Sequence, residues 1–335
     1  MRVGLDVGGT KTDAVAIGAD GQIAARLRLA TEWGPGGVVR TVVEAVRRLG
    51  LQGVDPATFE SVGVGMPGQV LPGSTHVVHA VNLGVTDLDL AAAVEPLLGI
   101  PVAVENDVKA ATRGAHALRH GPRGETMAYL NLGTGIAAGI VRDGRLWRGG
   151  HGTAGEVGHI SVDPHGPLCR CGQRGCIEAL AGGASIARRW GHPGRIPVRD
   201  MMDAADAGDP TARALRADLM AGVAAAVRIL VLTADVDVVV LGGGLTALAQ
   251  RLRDGVAAEL DASAEASEFL RSLRLAGAHR TAAGGLRGSG DRRRTGRRRP
   301  GSRPESTGGC HPWLKSSSSP IEPPPVRWSP TRSHR

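Results

Sequence analysis

Residues 155–178 read GEVGHISVDPHGPLCRCGQRGCIE, and this stretch confines the fold more tightly than any other. His159, Cys169, Cys171 and Cys176 offer nitrogen and sulfur ligands at short spacing. Zinc takes four such ligands in a tetrahedron, and a Cys-x-Cys turn followed by Gly172, Gly175 and a third cysteine lets a tight loop wrap one ion. The order His-x9-Cys-x-Cys-x4-Cys is unlike a zinc finger. Four protein ligands leave no open position for water, so the zinc is expected to be structural. Thiols that are merely buried or disulfide-bonded are the competing reading. Closing the loop would bring Glu156, His159 and Glu178 to one place, a small polar pocket on a metal brace.

Two glycine loops stand ahead of it. Residues 2–7 form an apolar, valine-containing run that ends in Asp6-Val7-Gly8-Gly9-Thr10-Lys11-Thr12 and resumes at 14–17, which predicts strand, turn and strand. Consecutive glycines let backbone N–H groups approach phosphate oxygens, Thr10, Lys11 and Thr12 add donors, and Asp6 can hold a metal-bound water. A plain hairpin turn reads the same way, and the loop is not a Walker A motif, because Thr10 stands where Lys-Ser/Thr would be required. Residues 127–132 run into Gly133-Thr134-Gly135 and a further strand. The layout repeats, so the chain reads as two related lobes, each presenting a glycine loop.

Between these loops, residues 38–49 predict a helix behind Pro35, and 61–65 a strand. The GxGxxG at 63–68 is no dinucleotide fingerprint, because Pro67, Pro72 and Gly73 forbid the helix it would have to open. A strand at 102–104 feeds Glu105-Asn106-Asp107 and a helix over 108–118. A carboxylate there stands at the carboxyl edge of a sheet, where open α/β sheets bind ligands, so Asp107 is the candidate general base; a helix cap is its alternative use. After the cysteine loop, short helices are expected over 184–190 and 198–205. Asp209 caps a long, largely apolar helix over 211–233 with Pro210 at its first position. A buried strand at 236–241 leads into Gly242-Gly243-Gly244, a contact turn or an ordinary strand-to-helix turn.

The chain has 335 residues, enough for about two domains, with a formal charge of +8. That charge lies in the tail: residues 276–335 hold 13 Lys plus Arg against 3 Asp plus Glu, leaving 27 against 29 in residues 1–275. No nucleic-acid partner is therefore expected for residues 1–275, which lack a basic stripe with interleaved aromatics. The chain opens on a strand and shows no apolar run long enough to span a membrane, so no membrane partner is expected and the location is read as cytoplasmic. Reduced zinc-binding cysteines fit that compartment.

The pattern GExGH...CxCGxxGCxE resembles the signature of the ROK family, bacterial sugar kinases and related sugar-responsive repressors, over residues 1 to about 275. The resemblance implies an α/β, two-lobe actin-like ATPase fold of the ribonuclease H-like type with a structural zinc loop. Lobes would span 1–115 and 116–275. It implies ATP, Mg2+ and structural Zn2+ as cofactors, with hexose and ATP as partners and a homodimer or higher homo-oligomer. The activity implied is transfer of the γ-phosphoryl group to a hydroxyl of glucose or an N-acetylhexosamine, with Asp107 catalytic. Sugar contacts map onto Gly68, Asn82, Asn106, Asp107, Glu156, His159 and Glu178. Phosphate and nucleotide contacts map onto Asp6, Gly8, Gly9, Thr10, Lys11, Thr12, Gly133, Thr134, Gly135, Gly242, Gly243 and Gly244, and zinc ligands onto His159, Cys169, Cys171 and Cys176. Gly84, Val85 and Thr86 depart from the Pro and Trp that often follow the asparagine, and Ala137 stands where many relatives carry glycine. A Gly-Ala-rich terminal helix is missing from the pattern. Residues 276–335, low in complexity and rich in Arg, Gly, Ser and Pro, are expected to be disordered, the product of a frameshift near Ala276 or a native arginine-rich tail. A non-catalytic sugar binder and a repressor are the rival functions; a strand beginning at Arg2 leaves no DNA reader ahead of it.

Overall fold

The computed structural model describes residues 1–273 apart from His120, Arg123, Pro193 and Arg195, together with Leu275 and the backbone of 279–281. The first half runs β1 (Arg2–Val7), β2 (Lys11–Ile17), β3 (Ile23–Ala30), α1 (Pro35–Gly50), β4 (Ser61–Met66), β5 (Gln69–Val70), β6 (His76–Ala80), β7 (Val85–Asp89), α2 (Leu90–Leu98) and β8 (Val102–Asn106). Helix α3 (Asp107–Arg119) leads to β9 (Met127–Leu132), β10 (Ile136–Arg142), β11 (Arg145–Trp147), α4 (Ile177–Ala181), α5 (Gly183–Trp190), α6 (Pro197–Asp206), α7 (Pro210–Ala234), β12 (Val238–Gly242), α8 (Gln250–Glu265), α9 (Glu268–Ser272) and β13 (His279–Thr281).

Two five-stranded sheets share one plan. Their orders are β3-β2-β1-β4-β8 and β11-β10-β9-β12-β13. In each, the second and third positions form the antiparallel hairpin that carries a glycine loop, and the last two strands pair in parallel. The α/β class with mixed sheets and the repeated strand-turn-strand layout are both present. A third sheet, β5-β6-β7, lies beside the first.

Separate apolar cores hold the halves. Val38, Val42 and Leu49 of α1 close over Val3, Leu5 and Val62 in one, while Leu130, Leu132, Leu219, Val223 and Leu241 belong to the other. Each buried side chain of this size contributes roughly 1.5–3 kcal/mol. Helix α7 starts as its sequence dictates, with the Asp209 carboxylate accepting from Ala212 N at 2.7 Å and Pro210 in the first turn. It corrects the membrane expectation in one respect. With mean hydropathy 1.8 over its best window, α7 is long and apolar enough to cross a bilayer, yet Leu215 to Leu230 supply much of the second core.

Helix α3 packs against both sheets, and a glycine makes room on each side. A side chain at Gly65 of β4 would stand 3.2 Å from Ala110, and one at Gly139 of β10 would collide with Thr112. Strand β13 lies beyond residue 275, where the second lobe was expected to end. Residues 279–281 pair in parallel with Val239, Val240 and Leu241 of β12, so the sheet continues past 276; the frameshift and disorder expectations for 282–335 lie outside the described residues.

Candidate active site

A cleft of about 990 Å³ opens beside α3 and is lined from both halves. The first half contributes Gly8, Gly9, Thr10, Gly68, Asn82, Asn106 and Asp107, and the second Thr134, Gly135, Glu156, His159, Cys169 and Glu178. Residues distant in sequence meet because each hairpin turn stands at the same edge of its sheet. The first loop touches the asparagine turn: a Cβ on Gly9 would lie 2.8 Å from the Asn82 carbonyl.

Asp107 opens α3 immediately after β8. Asn106 is the helix cap, its Oδ1 accepting from Lys109 N at 3.2 Å, while its amide donates to Asp107 Oδ1 at 3.0 Å and to the Gly68 carbonyl at 3.1 Å. The capping role thus falls to Asn106. Burial raises the Asp107 carboxyl above the ordinary carboxylate range, against the hydrogen bonds from Val108 N, its own backbone and Asn106 and the charge of Lys109. Asp6 is raised as well, first by the protein packed around it and then by Asp107 and Asp13, with Lys11 opposing. Asp6 retains a solvent-accessible face.

Gly68 has φ 103°, and a Cβ there would meet the Val78 carbonyl at 2.9 Å, so glycine is required on both counts. In the GxxGH turn, Cβ atoms at Gly155 and Gly158 would overlap the carbonyls of Ala138 and Ile136. This close seat on β10 brings Glu156 and His159 to the cleft. Glu178 accepts from Ile136 N at 3.0 Å through Oε2 and so braces the second glycine loop from α4.

Several of the expected contact residues stand away from the cleft lining. Thr12 is fully buried with its hydroxyl 2.9 Å from that of Thr31, so it cannot face a phosphate. The Gly8 N–H closes the hairpin on the Lys11 carbonyl at 2.9 Å, and Lys11 does not line the cleft. Gly133 lies outside the lining; its N–H is bound to the Gly135 carbonyl and its own carbonyl accepts from Gly183 N, which ties the loop to α5. Asp6, Gly242, Gly243 and Gly244 are also outside the lining. Gly242 packs on Tyr129 and Gly243 on Asn131, which leaves Gly244 as the turn residue with open space around it. Residues that the motifs did not single out line the cleft too: Trp33, Gln69, His79, Lys109, Asn131, Thr153, Ser185 and Arg188. Asn131 could have been found from the repeat, since it holds the place in β9 that Asp6 holds in β1.

The four predicted metal ligands converge, their donor atoms all within 4.8 Å of one another. Cys171 Sγ stands 3.6 Å from Cys176 Sγ, and Cys169 Sγ 3.9 Å from His159 Nδ1. A zinc tetrahedron has edges of roughly 3.5–3.8 Å by its usual bond lengths, and a disulfide requires about 2.05 Å. The donor set fits a zinc ion, and the three cysteines are free thiols. The Gln173 backbone N–H, helped by its side-chain amide, holds the exposed Cys171 thiol down at about 6, and burial pushes the Cys176 thiol up to about 12.

A cleft lined from two like-built sheets, with a hairpin glycine loop in each and a carboxylate at a strand-to-helix junction, characterises an α/β protein with mixed sheets. Residues 2–290 match the model of the ROK family, and the chain belongs to that family. The match runs past residue 275, where the resemblance had been expected to stop. A glucokinase of Halalkalibacterium halodurans is 30% identical over 264 residues, 73% of this chain and 80% of the relative. An N-acetylmannosamine kinase of Escherichia coli O139:H28 is 34% identical over 245 residues, 72% of this chain and 82% of the relative. Among solved structures, a ROK family glucokinase from Streptomyces griseus, in complex with glucose and AMPPNP, superposes with a TM-score of 0.66 at 30% identity, covering 77% of this chain and 88% of that one.

Proposed function

We propose that this sugar kinase transfers the γ-phosphoryl group of ATP to a hydroxyl of glucose or an N-acetylhexosamine, with Asp107 as general base. The observation that carries the proposal is the placement of Asp107, held by Asn106 in a cleft lined by both glycine loops, where burial raises its carboxyl. The relatives named above support the substrate class. We read the two sheets as the lobes of an actin-like ATPase fold, 1–115 and 116–275, the second now extended by β13.

The sugar would lie against Gly68, Asn82, Asn106, Glu156 and His159, with one hydroxyl at Asp107. As that oxygen attacks the γ-phosphorus and the bond to the β-γ bridging oxygen breaks, Asp107 takes the hydroxyl proton. A carboxyl raised above the ordinary carboxylate range is a better proton acceptor than an ordinary aspartate. N–H groups of Gly9, Thr10, Thr134 and Gly135 would hold the phosphates in line, so that catalysis is mostly positioning and charge stabilisation. Mg2+ would neutralise phosphate charge, and Asp6, which the charge of Asp107 helps to raise, would favour a cation nearby. His159, Cys169, Cys171 and Cys176 would hold the zinc, with Nδ1 toward the metal and the other ring nitrogen left for a sugar hydroxyl. Adenosine would lie toward Gly244. ATP turnover measured against a panel of hexoses tests the reading: hexose-dependent ADP release that Asp107→Asn abolishes supports it, and hexose binding without turnover overturns it in favour of a sugar binder.

A further inference from the structure

Lys109 lies two residues beyond Asp107 and is only 5% exposed. A buried ammonium is costly unless it is hydrogen-bonded. Its Nζ donates to the carbonyl of Gly152, in the segment of the second half that leads to Glu156 and His159. The neighbouring carbonyl, that of His151, accepts from Gln69 Nε2 at 2.6 Å. Four residues back, Arg148 reaches Glu105, with Nε 3.1 Å and Nη2 2.5 Å from the same carboxylate oxygen. Glu105 immediately precedes Asn106-Asp107. Gly152 itself, at φ 74°, lies flat on β5: a Cβ would stand 3.2 Å from the Val70 carbonyl.

Side chains from β5, β8 and α3, two of them flanking the catalytic aspartate in sequence, therefore grip positions 148, 151 and 152 of one short segment. We infer that Lys109, Gln69 and the Glu105–Arg148 pair form a clasp between the halves that sets the spacing from Asp107 to the sugar-facing Glu156 and His159, which makes Lys109 a positioning residue. The inference rests on the proposed roles of Asp107, Glu156 and His159. The physical ground is that one end of the segment carries sugar contacts while the other is fixed to the residues on either side of the base. Reacting groups misplaced by about 1 Å lose on the order of 10²-fold in rate.

Steady-state kinetics of the full chain with Mg-ATP, using whichever hexose the wild type phosphorylates, test the clasp. Lys109→Met should lower kcat at least about tenfold and raise KM for hexose, with KM for ATP within about twofold of wild type. Arg148 is 44% exposed, so Arg148→Ala should fold even if the buried substitution does not. It should raise the hexose KM several-fold, and Arg148→Lys should restore part of the loss. Combined with Gln69→Ala, Arg148→Ala should cost less than the product of the two single losses, because one release already frees the segment. Unchanged hexose KM and kcat in Arg148→Ala, equal rises in both KM values, or fully multiplicative losses would overturn the clasp. A failed clasp leaves wild-type turnover and the Asp107→Asn loss intact, whereas a failed kinase reading removes both.

Discussion

The two sheets copy each other in strand order and differ in charge where their glycine loops begin. In β1 that position is Asp6; in β9 it is Asn131, whose side chain lies against Gly243 of the following turn. Asp6 and Asp107 both belong to the first half; burial raises both carboxyls, and the charge of Asp107 adds to the rise at Asp6. The second half supplies neutral loop donors, a loop tied to α5 by Gly183 and Ala184, and the His/Cys cluster. Duplicated topology thus places two equivalent edges around one cleft, and unlike side chains at those edges divide the work. Under the proposed function, a base and a cation-favouring carboxylate would lie on one side, while the other side would keep its corresponding position uncharged near an anionic donor.

The largest expected effect removes the base from the acidic half. Asp107→Asn should lower kcat by ~10²–10⁴-fold while calorimetry shows hexose binding retained, since the amide keeps shape and most hydrogen bonds. A loss below about tenfold would make Asp107 a structural residue and erase the asymmetry. Next is the feature that belongs to the second half alone. One zinc per chain should copurify, and Cys171→Ser should lose it along with hexose affinity, because His159 would no longer be oriented. Metal analysis of reduced, unchelated protein that finds no zinc ends that reading.

Making the halves alike should do harm. Asn131→Asp places a carboxylate beside the second loop and should raise KM for ATP roughly tenfold through like-charge repulsion; an unchanged KM would mean that the neutral position is incidental. Stability should move the other way. The folded chain holds the Asp6 and Asp107 protons to higher pH than the unfolded chain, so stability falls as pH climbs from the ordinary carboxylate range to the raised values, and the deficit persists above. Asp107→Asn should therefore melt above wild type at neutral pH, with the difference vanishing in acid. Thermal scans that show no such pH dependence would count against a strained carboxylate. The smallest effect concerns the second sheet's last strand. Truncation after residue 284 should leave Tm near wild type, whereas truncation after 276 removes β13 from beside β12 and should lower it measurably.

The sequence alone determined the elements whose signal is local. Glycine-interrupted strand pairs at 2–17 and 127–141, the Asp209-Pro210 start of α7, the strand-to-helix step at Asp107 and the close spacing of His159 with three cysteines each depend on residues near one another in the chain. Several elements escaped it, among them β3, β5 to β7 and β11, strands of two to eight residues that carry little periodicity and are held by their neighbours, and α2, a nine-residue helix with Pro96 inside it. Tertiary structure decided which side chains face the cleft. Thr12 alternates inward along β2 and is consumed by Thr31, an assignment set by β3, which is far from the motif. Lys109, Gln69 and Trp33 reach the cleft because α3, β5 and the turn before α1 converge there, and the acceptors of Lys109 and Gln69 lie 43 and 82 residues away in the chain. Local pattern specifies backbone form through short-range sterics and hydrogen bonding. The partner of a buried polar group depends on long-range packing, which no spacing within a motif encodes.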